Sequence, residues 1–157
     1  MKLDDILLRP MARADLDALV ALYRDDVLGR AREADDGEDQ ALYVAAFDRV
    51  ASDPSTTVYV AETDGALVGT FQLTITPGVS QRGVIRATIE SVRTRADLRG
   101  RGVGARMMDF AVAEARRRGA DVVQLTSNLS RKDAHRFYER LGFSQSHAGF
   151  KLDLKAR

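Results

Sequence analysis

Cysteine is absent from the 157-residue chain. That excludes disulfides, a thiolate zinc site and a cysteine nucleophile. It suits a reducing compartment, so a cytoplasmic protein is expected. Histidine is scarce: His135 and His147 are too few for a histidine-rich centre, and no metal is expected. Charge of one sign is missing too. Lys and Arg total 24 against 23 Asp and Glu, a net charge of +1. Such a balance gives no global pull toward nucleic acid or an acidic membrane, so any anion binding must be local. No apolar run is long enough to span a bilayer, and Met1-Lys2-Leu3-Asp4-Asp5 does not read as a signal peptide. Neither nucleic acid nor membrane is therefore an expected partner. No internal repeat, low-complexity tract or break in composition interrupts the chain. With 45% hydrophobic and 30% charged residues, the expectation is one domain, 1–157, around one core.

What the chain does have is Asp97-Leu98-Arg99-Gly100-Arg101-Gly102-Val103-Gly104-Ala105-Arg106. Glycines let a backbone turn sharply and approach a ligand closely. Val103, Met107, Ala111 and Ala115 then repeat at helical spacing, so the glycines open a helix. The first amides of a helix lack intrahelical acceptors and sit at its positive end. Arg99, Arg101 and Arg106 add formal charge, which makes the loop an anion site in waiting.

The rest of the chain alternates between strand and helix patterns. Ile6–Met11 reads as a short strand, and Asp15 as the cap of a helix with Leu16, Leu19, Val20 and Tyr23 on its apolar face. Gly29–Asp39 is acidic and reads as a solvated loop; a second helix follows, with Leu42, Ala45, Ala46, Arg49 and Val50 on one side. Thr57–Glu62 and Ala66–Ile75 form a hairpin through Asp64-Gly65, and Pro77-Gly78 turns into a strand over Val84–Thr94. Gly119 stops the helix after the glycine loop, Asp121–Thr126 is a strand, and Asp133–Arg140 is helical. Phe150–Leu154 alternates as a last strand. Arg116-Arg117-Arg118 suits a helix C-terminus, where cations meet the dipole, better than nucleic acid.

Strand, Arg99-x-x-Gly102-x-Gly104 and helix together resemble the acetyl-CoA motif of the Gcn5-related N-acetyltransferases, the GNAT superfamily. Ala134-His135-Arg136-Phe137-Tyr138-Glu139-Arg140-Leu141-Gly142-Phe143 resembles the second signature of that family, A-x-x-F-Y-x-x-x-G-F. Two motifs in the right order are more specific than either alone. The resemblance implies a mixed α/β fold of α+β type. Its central, mostly antiparallel twisted sheet would be splayed between the fourth and fifth strands and flanked by helices. It implies acetyl-CoA as cosubstrate, with Val92, Arg93 and Thr94 pairing the pantetheine arm through backbone. The amides of Gly100, Arg101, Gly102, Val103, Gly104 and Ala105 would hold the pyrophosphate beside Arg99 and Arg101. Arg131 stands where the family pattern N-x-x-A-x-x-F-Y places an asparagine, and Asn128 lies just upstream; either could contact the cofactor. Tyr138 matches the family acid that protonates the leaving thiolate, its other reading being a core aromatic beside Phe137. Glu90 is the candidate base for a small primary amine, its other reading an exposed or Arg-paired carboxylate. The resemblance also leaves room for a homodimer.

Two other functions fit part of the pattern. Gly100-x-Gly102-x-x-Ala105 formally matches a dinucleotide fingerprint, but no acidic residue ends the next strand, as an NAD-dependent oxidoreductase needs. A non-catalytic acyl-CoA sensor would share the fold and the cofactor loop.

Overall fold

The computed structural model describes residues 2–25 and 39–154. The expected acidic loop lies outside these residues except for Asp39, which opens a helix. The chain divides into two compact units, Met1–Gln124 and Leu125–Arg157. The described elements in order are β1 (Leu7–Pro10), α1 (Leu16–Arg24), α2 (Asp39–Ser52), β2 (Thr56–Thr63), β3 (Ala66–Pro77), β4 (Ile85–Thr94), α3 (Val103–Arg117), β5 (Val122–Leu125) and α4 (Lys132–Arg140). No helix among the described residues is long and apolar enough to cross a membrane.

The five strands form one sheet in the order β1-β2-β3-β4-β5. β1 to β4 pair antiparallel, with Leu8 opposite Ala61, Tyr59 opposite Phe71, and Leu73 opposite Ile89. The β2–β3 turn is Asp64-Gly65, with φ of 51° and 71°. Positive φ at both central residues matches the right-handed twist of the flanking strands. β5 meets β4 at its start. Asp121 N donates to Ile85 O at 2.9 Å, Ile85 N to Asp121 Oδ2 at 2.8 Å, and Gln124 Nε2 to Thr88 Oγ1 at 3.1 Å. Residue numbers rise together along this contact, so β5 runs parallel to β4, as a connection through a helix demands. β4 continues to Thr94 while β5 ends at Leu125.

One sheet face carries Tyr59, Phe71, Leu73, Ala87 and Ile89, all buried, with Val103, Met107, Met108, Ala111 and Ala115 of α3 buried as well. Tyr59 and Phe71 stack at 5.2 Å, and Phe110 of α3 packs edge-on against both rings. Each large apolar side chain so buried contributes roughly 1.5–3 kcal/mol. The other face meets α1, whose Leu19 packs with Val58 and Val60.

Gly69 of β3 sets how closely α3 approaches. A Cβ built there would lie 2.7 Å from Met107 Sδ and 3.0 Å from the Arg93 carbonyl oxygen. The methionine could give way, but the backbone oxygen could not. Gly69→Val is therefore expected to overpack the site by about 1–3 kcal/mol, lowering Tm by roughly 2–12 °C in a chain of this size. An unchanged melting curve would mean that Gly69 does not set this spacing. The far end of α3 is latched by charge. Tyr59 OH donates to Glu114 Oε1 at 2.9 Å, and Arg118 Nη2 donates to Pro54 O and Ser55 O at 2.8 and 3.0 Å. Hydrogen bonding from Arg117 holds the Glu114 carboxyl below its usual range, while burial pushes the Tyr59 hydroxyl up.

Three expectations from the sequence are corrected. Asp15 does not cap α1. Its carboxylate accepts both Arg9 terminal nitrogens at 2.6 and 2.9 Å, and Ala12 N at 2.7 Å. A bidentate guanidinium is a stronger partner than a helix amide. On α2 the expected apolar side holds only in part: Ala46 and Val50 are half-buried as expected, but Leu42, Ala45 and Arg49 are exposed, and Tyr43, Val44 and Phe47 are half-buried instead. Leucine and alanine favour helix without needing burial, so helix propensity alone does not turn them inward. Residues 150–154 form no strand, and Phe150, Leu152 and Leu154 are 94, 85 and 85% exposed. Alternation marks a two-faced segment, but a strand also needs a neighbouring edge to pair its backbone. No strand among the described residues pairs with this segment.

Candidate active site

The first unit brings together Glu90, Val92–Thr94 and Arg99–Ala105. β4 is irregular where it matters. Gln72 pairs with Glu90 but Thr70 pairs with Arg93, so two residues of β4, Ser91 and Val92, oppose Phe71 alone. Ser91 sits at φ 53°. Such a bulge takes backbone groups out of the ladder, where they can serve a ligand. Nothing in the sequence announces a left-handed serine. Arg93 Nη1 donates to Val92 O at 2.9 Å, so a guanidinium already takes one lone pair of that carbonyl. A carbonyl has two lone pairs, so this bond does not by itself bar a second donor.

From Thr94 the chain passes through a 3₁₀ turn at Ala96–Leu98 into the glycine loop. Asp25, just past α1, accepts Ala96 N at 2.8 Å and pins this turn. Gly100 and Gly102 have φ of 75° and 89°, and Gly102 is the residue before the first turn of α3. That conformation costs any other L-residue about 1–2 kcal/mol. Arg101 N is bonded to Leu98 O, and Arg106 N makes the first bond of the helix, to Gly102 O. Among the described residues no backbone oxygen takes the amides of Gly100, Gly102, Val103, Gly104 or Ala105. Open amides at the positive end of a helix can take an anion as readily as water.

The charges around the loop favour that anion. The Arg95 guanidinium hydrogen-bonds Asp97 and holds its carboxyl below the usual range, neutralising the nearest acid. Arg101 is exposed. Arg99 Nε and Nη2 donate to Thr94 O and Asp25 O, each at 3.3 Å, so its guanidinium is tethered beside the loop. Arg106 Nε is buried with no hydrogen-bond partner among the described residues. Leu3 is a neighbour that sequence patterning did not flag: a Cβ on Gly102 would lie 2.8 Å from Leu3 Cδ1.

Glu90 is exposed on β4 beside the bulge. Its one hydrogen bond among the described residues is from Gln72 Nε2 at 3.5 Å, so of its other reading the Arg-paired form does not hold and the exposed form does.

The second unit carries Asn128, Arg131 and Tyr138. Asn128 Oδ1 accepts Ser130 N at 2.9 Å and Ser130 Oγ at 2.7 Å, a local turn that leads to Arg131 at the start of α4. His135 Nε2 lies 2.9 Å from Asn128 O. A carbonyl only accepts, so this nitrogen carries the proton, and the histidine clasps the loop to the helix. Tyr138 is half-buried in the last turn of α4. Phe143 N donates back to Tyr138 O at 3.1 Å, and Gly142, at φ 89°, lets the chain turn there. Phe143 then meets the Tyr138 ring edge-on at 6.0 Å, with Phe137 at 5.2 Å on another side. The F-Y-x-x-x-G-F spacing is thus a helix stop that fixes the tyrosine ring.

Comparison with known proteins agrees with this fold. A crystal structure described as a transcriptional regulator from Bacillus halodurans C-125 superposes with a TM-score of 0.90 at 40% identity, over 95% of this chain and 99% of that one. An acetyltransferase of Trypanosoma brucei gives a TM-score of 0.76 at 28% identity, over 96% of this chain and all of that one. The aminoalkylphosphonate N-acetyltransferase of Salmonella typhimurium is 34% identical over 98 residues, 62% of this chain and 63% of that protein. The chain therefore spans less than two thirds of that relative's length. The acetyltransferase (GNAT) family model matches residues 16–143, running from α1 through the glycine loop to Phe143, and the chain belongs to this family.

Proposed function

We propose that the protein transfers an acetyl group from acetyl-CoA to the primary amine of a small molecule, by direct attack in a ternary complex. The observation that carries this reading is the bulged end of β4 running into a glycine loop whose amides lack a described acceptor. The family match crosses both units, which supports reading residues 1–157 as one catalytic domain.

The amides from Gly100 to Ala105 would hold the pyrophosphate, with Arg99 and Arg101 as counter-charges. Val92 to Thr94 would pair the pantetheine arm. An alkyl amine has a pKa of about 10 and must lose a proton to attack. Glu90 would take that proton, directly or through water. As nitrogen bonds the thioester carbon, the carbonyl oxygen becomes an oxyanion, and a backbone amide freed by the bulge near Val92 would stabilise it. Collapse breaks the C–S bond, and Tyr138 would protonate the departing thiolate. Asn128 or Arg131 would add a polar contact to the cofactor.

The relative named for aminoalkylphosphonates makes an amine that also carries an anion a reasonable acceptor. A second reading follows from the regulator at 40% identity: a domain that binds acyl-CoA without turning it over. One experiment separates these readings. Titration with acetyl-CoA and with NAD, followed by CoA release over a panel of amines, is expected to show acetyl-CoA binding, no NAD binding, and release with small primary amines. Binding without turnover on any amine would favour the sensor. NAD binding without CoA binding would overturn both.

A further inference from the structure

We propose that the acceptor is an elongated zwitterion, its amine held at Glu90 and its anionic end at Arg86. The proposal rests on the acetyltransfer reading, with Glu90 at the amine.

Thr76 pairs with Arg86, Thr74 with Thr88 and Gln72 with Glu90, in unbroken register. Side chains two apart along a strand share a face, so Arg86, Thr88 and Glu90 point the same way, opposite the buried Ala87 and Ile89. Hydroxyls and amides continue that face sideways. Gln124 Nε2 reaches Thr88 Oγ1 at 3.1 Å on one side, and Thr56 Oγ1 lies 3.2 Å from Thr74 Oγ1 on the other. The result is a polar platform with a cation at one end and an anion at the other.

Neither charge is spent within the described residues. Arg86 Nη2 donates to the neutral Gln81 Oε1 at 3.0 Å, and Glu90 meets only the neutral Gln72 amide. Opposite charges on a strand face ordinarily pair across strands. Here they are four residues apart, about 13 Å at the rise of an extended chain, and each is bonded to a neutral amide and not to the other. Gln81 also draws the guanidinium toward the β3–β4 turn, away from Glu90. That turn holds Gln81 and Arg82 at φ of 53° and 63°. Non-glycine residues keep such strain only where the surroundings impose it. Here the strained residue is the one that aims Arg86.

A ligand that satisfies both ends spans about 13 Å, roughly four residues of extended peptide. Its central amides would face Thr88, Thr74 and Gln72. A free amine and a carboxylate separated by a tri- or tetrapeptide backbone fit. An aminoalkylphosphonate, with its charges only a few bonds apart, reaches one end alone.

The test is CoA release from diglycine, triglycine, tetraglycine and pentaglycine, each as the free acid and as the C-terminal amide, with butylamine as the uncharged comparison. The ratio of kcat/KM, acid over amide, is expected near one for diglycine and on the order of 10–100 for triglycine or tetraglycine, the usual worth of a charged hydrogen bond. In Arg86→Gln the tetraglycine ratio should fall to about one, and Arg86→Lys should restore part of it. A wild-type ratio near one at every length, or an undiminished ratio in Arg86→Gln, overturns the proposal. If butylamine is acetylated in that case, the acetyltransfer reading still stands. If no amine turns over, the same contrast is read as calorimetric binding of tetraglycine and its amide to the CoA-saturated protein. Equal affinities there overturn the zwitterion site, whereas an acid preference lost in Arg86→Gln sustains it.

Discussion

Replacing Gly102 with aspartate is expected to weaken acetyl-CoA binding on the order of 100-fold. A carboxylate about 6 Å from a phosphate costs roughly 3 kcal/mol at an effective dielectric near 20. Two further costs fall on folding rather than on binding. Gly102 sits at φ 89°, and its missing Cβ points at Leu3 Cδ1, 2.8 Å away. Left-handed strain alone is worth about 1–2 kcal/mol, a Tm loss of roughly 2–8 °C. Leu3→Ala should remove the steric part and leave the charge effect in place. Gly102→Asn separates charge from shape, because asparagine tolerates positive φ and is neutral; it should bind acetyl-CoA about tenfold or more tightly than the aspartate variant. Titration of folded protein decides. If both variants bind like the parent, the pyrophosphate does not lie on this loop.

Tyr138→Phe is expected to lower kcat by about 10²–10⁴-fold, the usual worth of a general acid, and to leave acetyl-CoA affinity nearly intact. Phenylalanine keeps the ring that packs against Phe137 and Phe143, so helix and turn should persist. Steady-state rates on one amine, beside a CoA titration, separate chemistry from binding. A variant with full activity would make the tyrosine a packing residue and leave the thiolate to solvent.

What was legible in the sequence had local causes. Asp64-Gly65 adopts the paired positive φ that a two-residue hairpin needs, and Gly119, at φ 81°, ends α3 where a helix stop was expected. Gly100 and Gly102 likewise take left-handed conformations that only glycine adopts freely. What was not legible depended on partners distant in sequence. Asp15 left its helix because Arg9, reaching from β1 and also bonded to Glu62, offered more. The exposed side of α2 does not follow from helix propensity alone. Phe150–Leu154 had the pattern of a strand without an edge to join. At the site, the loop could be read from glycine and arginine alone. The bulge, the Arg93 bond to Val92 O and the contact of Leu3 with Gly102 could not, because no local rule places them.

The extra residue in β4 shifts the phase of the strand. Before Ser91 the odd-numbered Ala87 and Ile89 face α3. After it, the even-numbered Thr94 stands opposite Gly69, the position that lies under Met107 of the same helix. The strand therefore ends with its parity reversed, and the chain departs from the side on which α3 must lie. With one residue fewer, the glycine loop would emerge toward the α1 side, and its helix would have to cross the sheet to reach Phe71 and Ile89. Deleting Ser91 would thus displace a helix as well as a bulge. One residue of slack in a two-residue period decides on which side of the sheet the first turn of α3 is built.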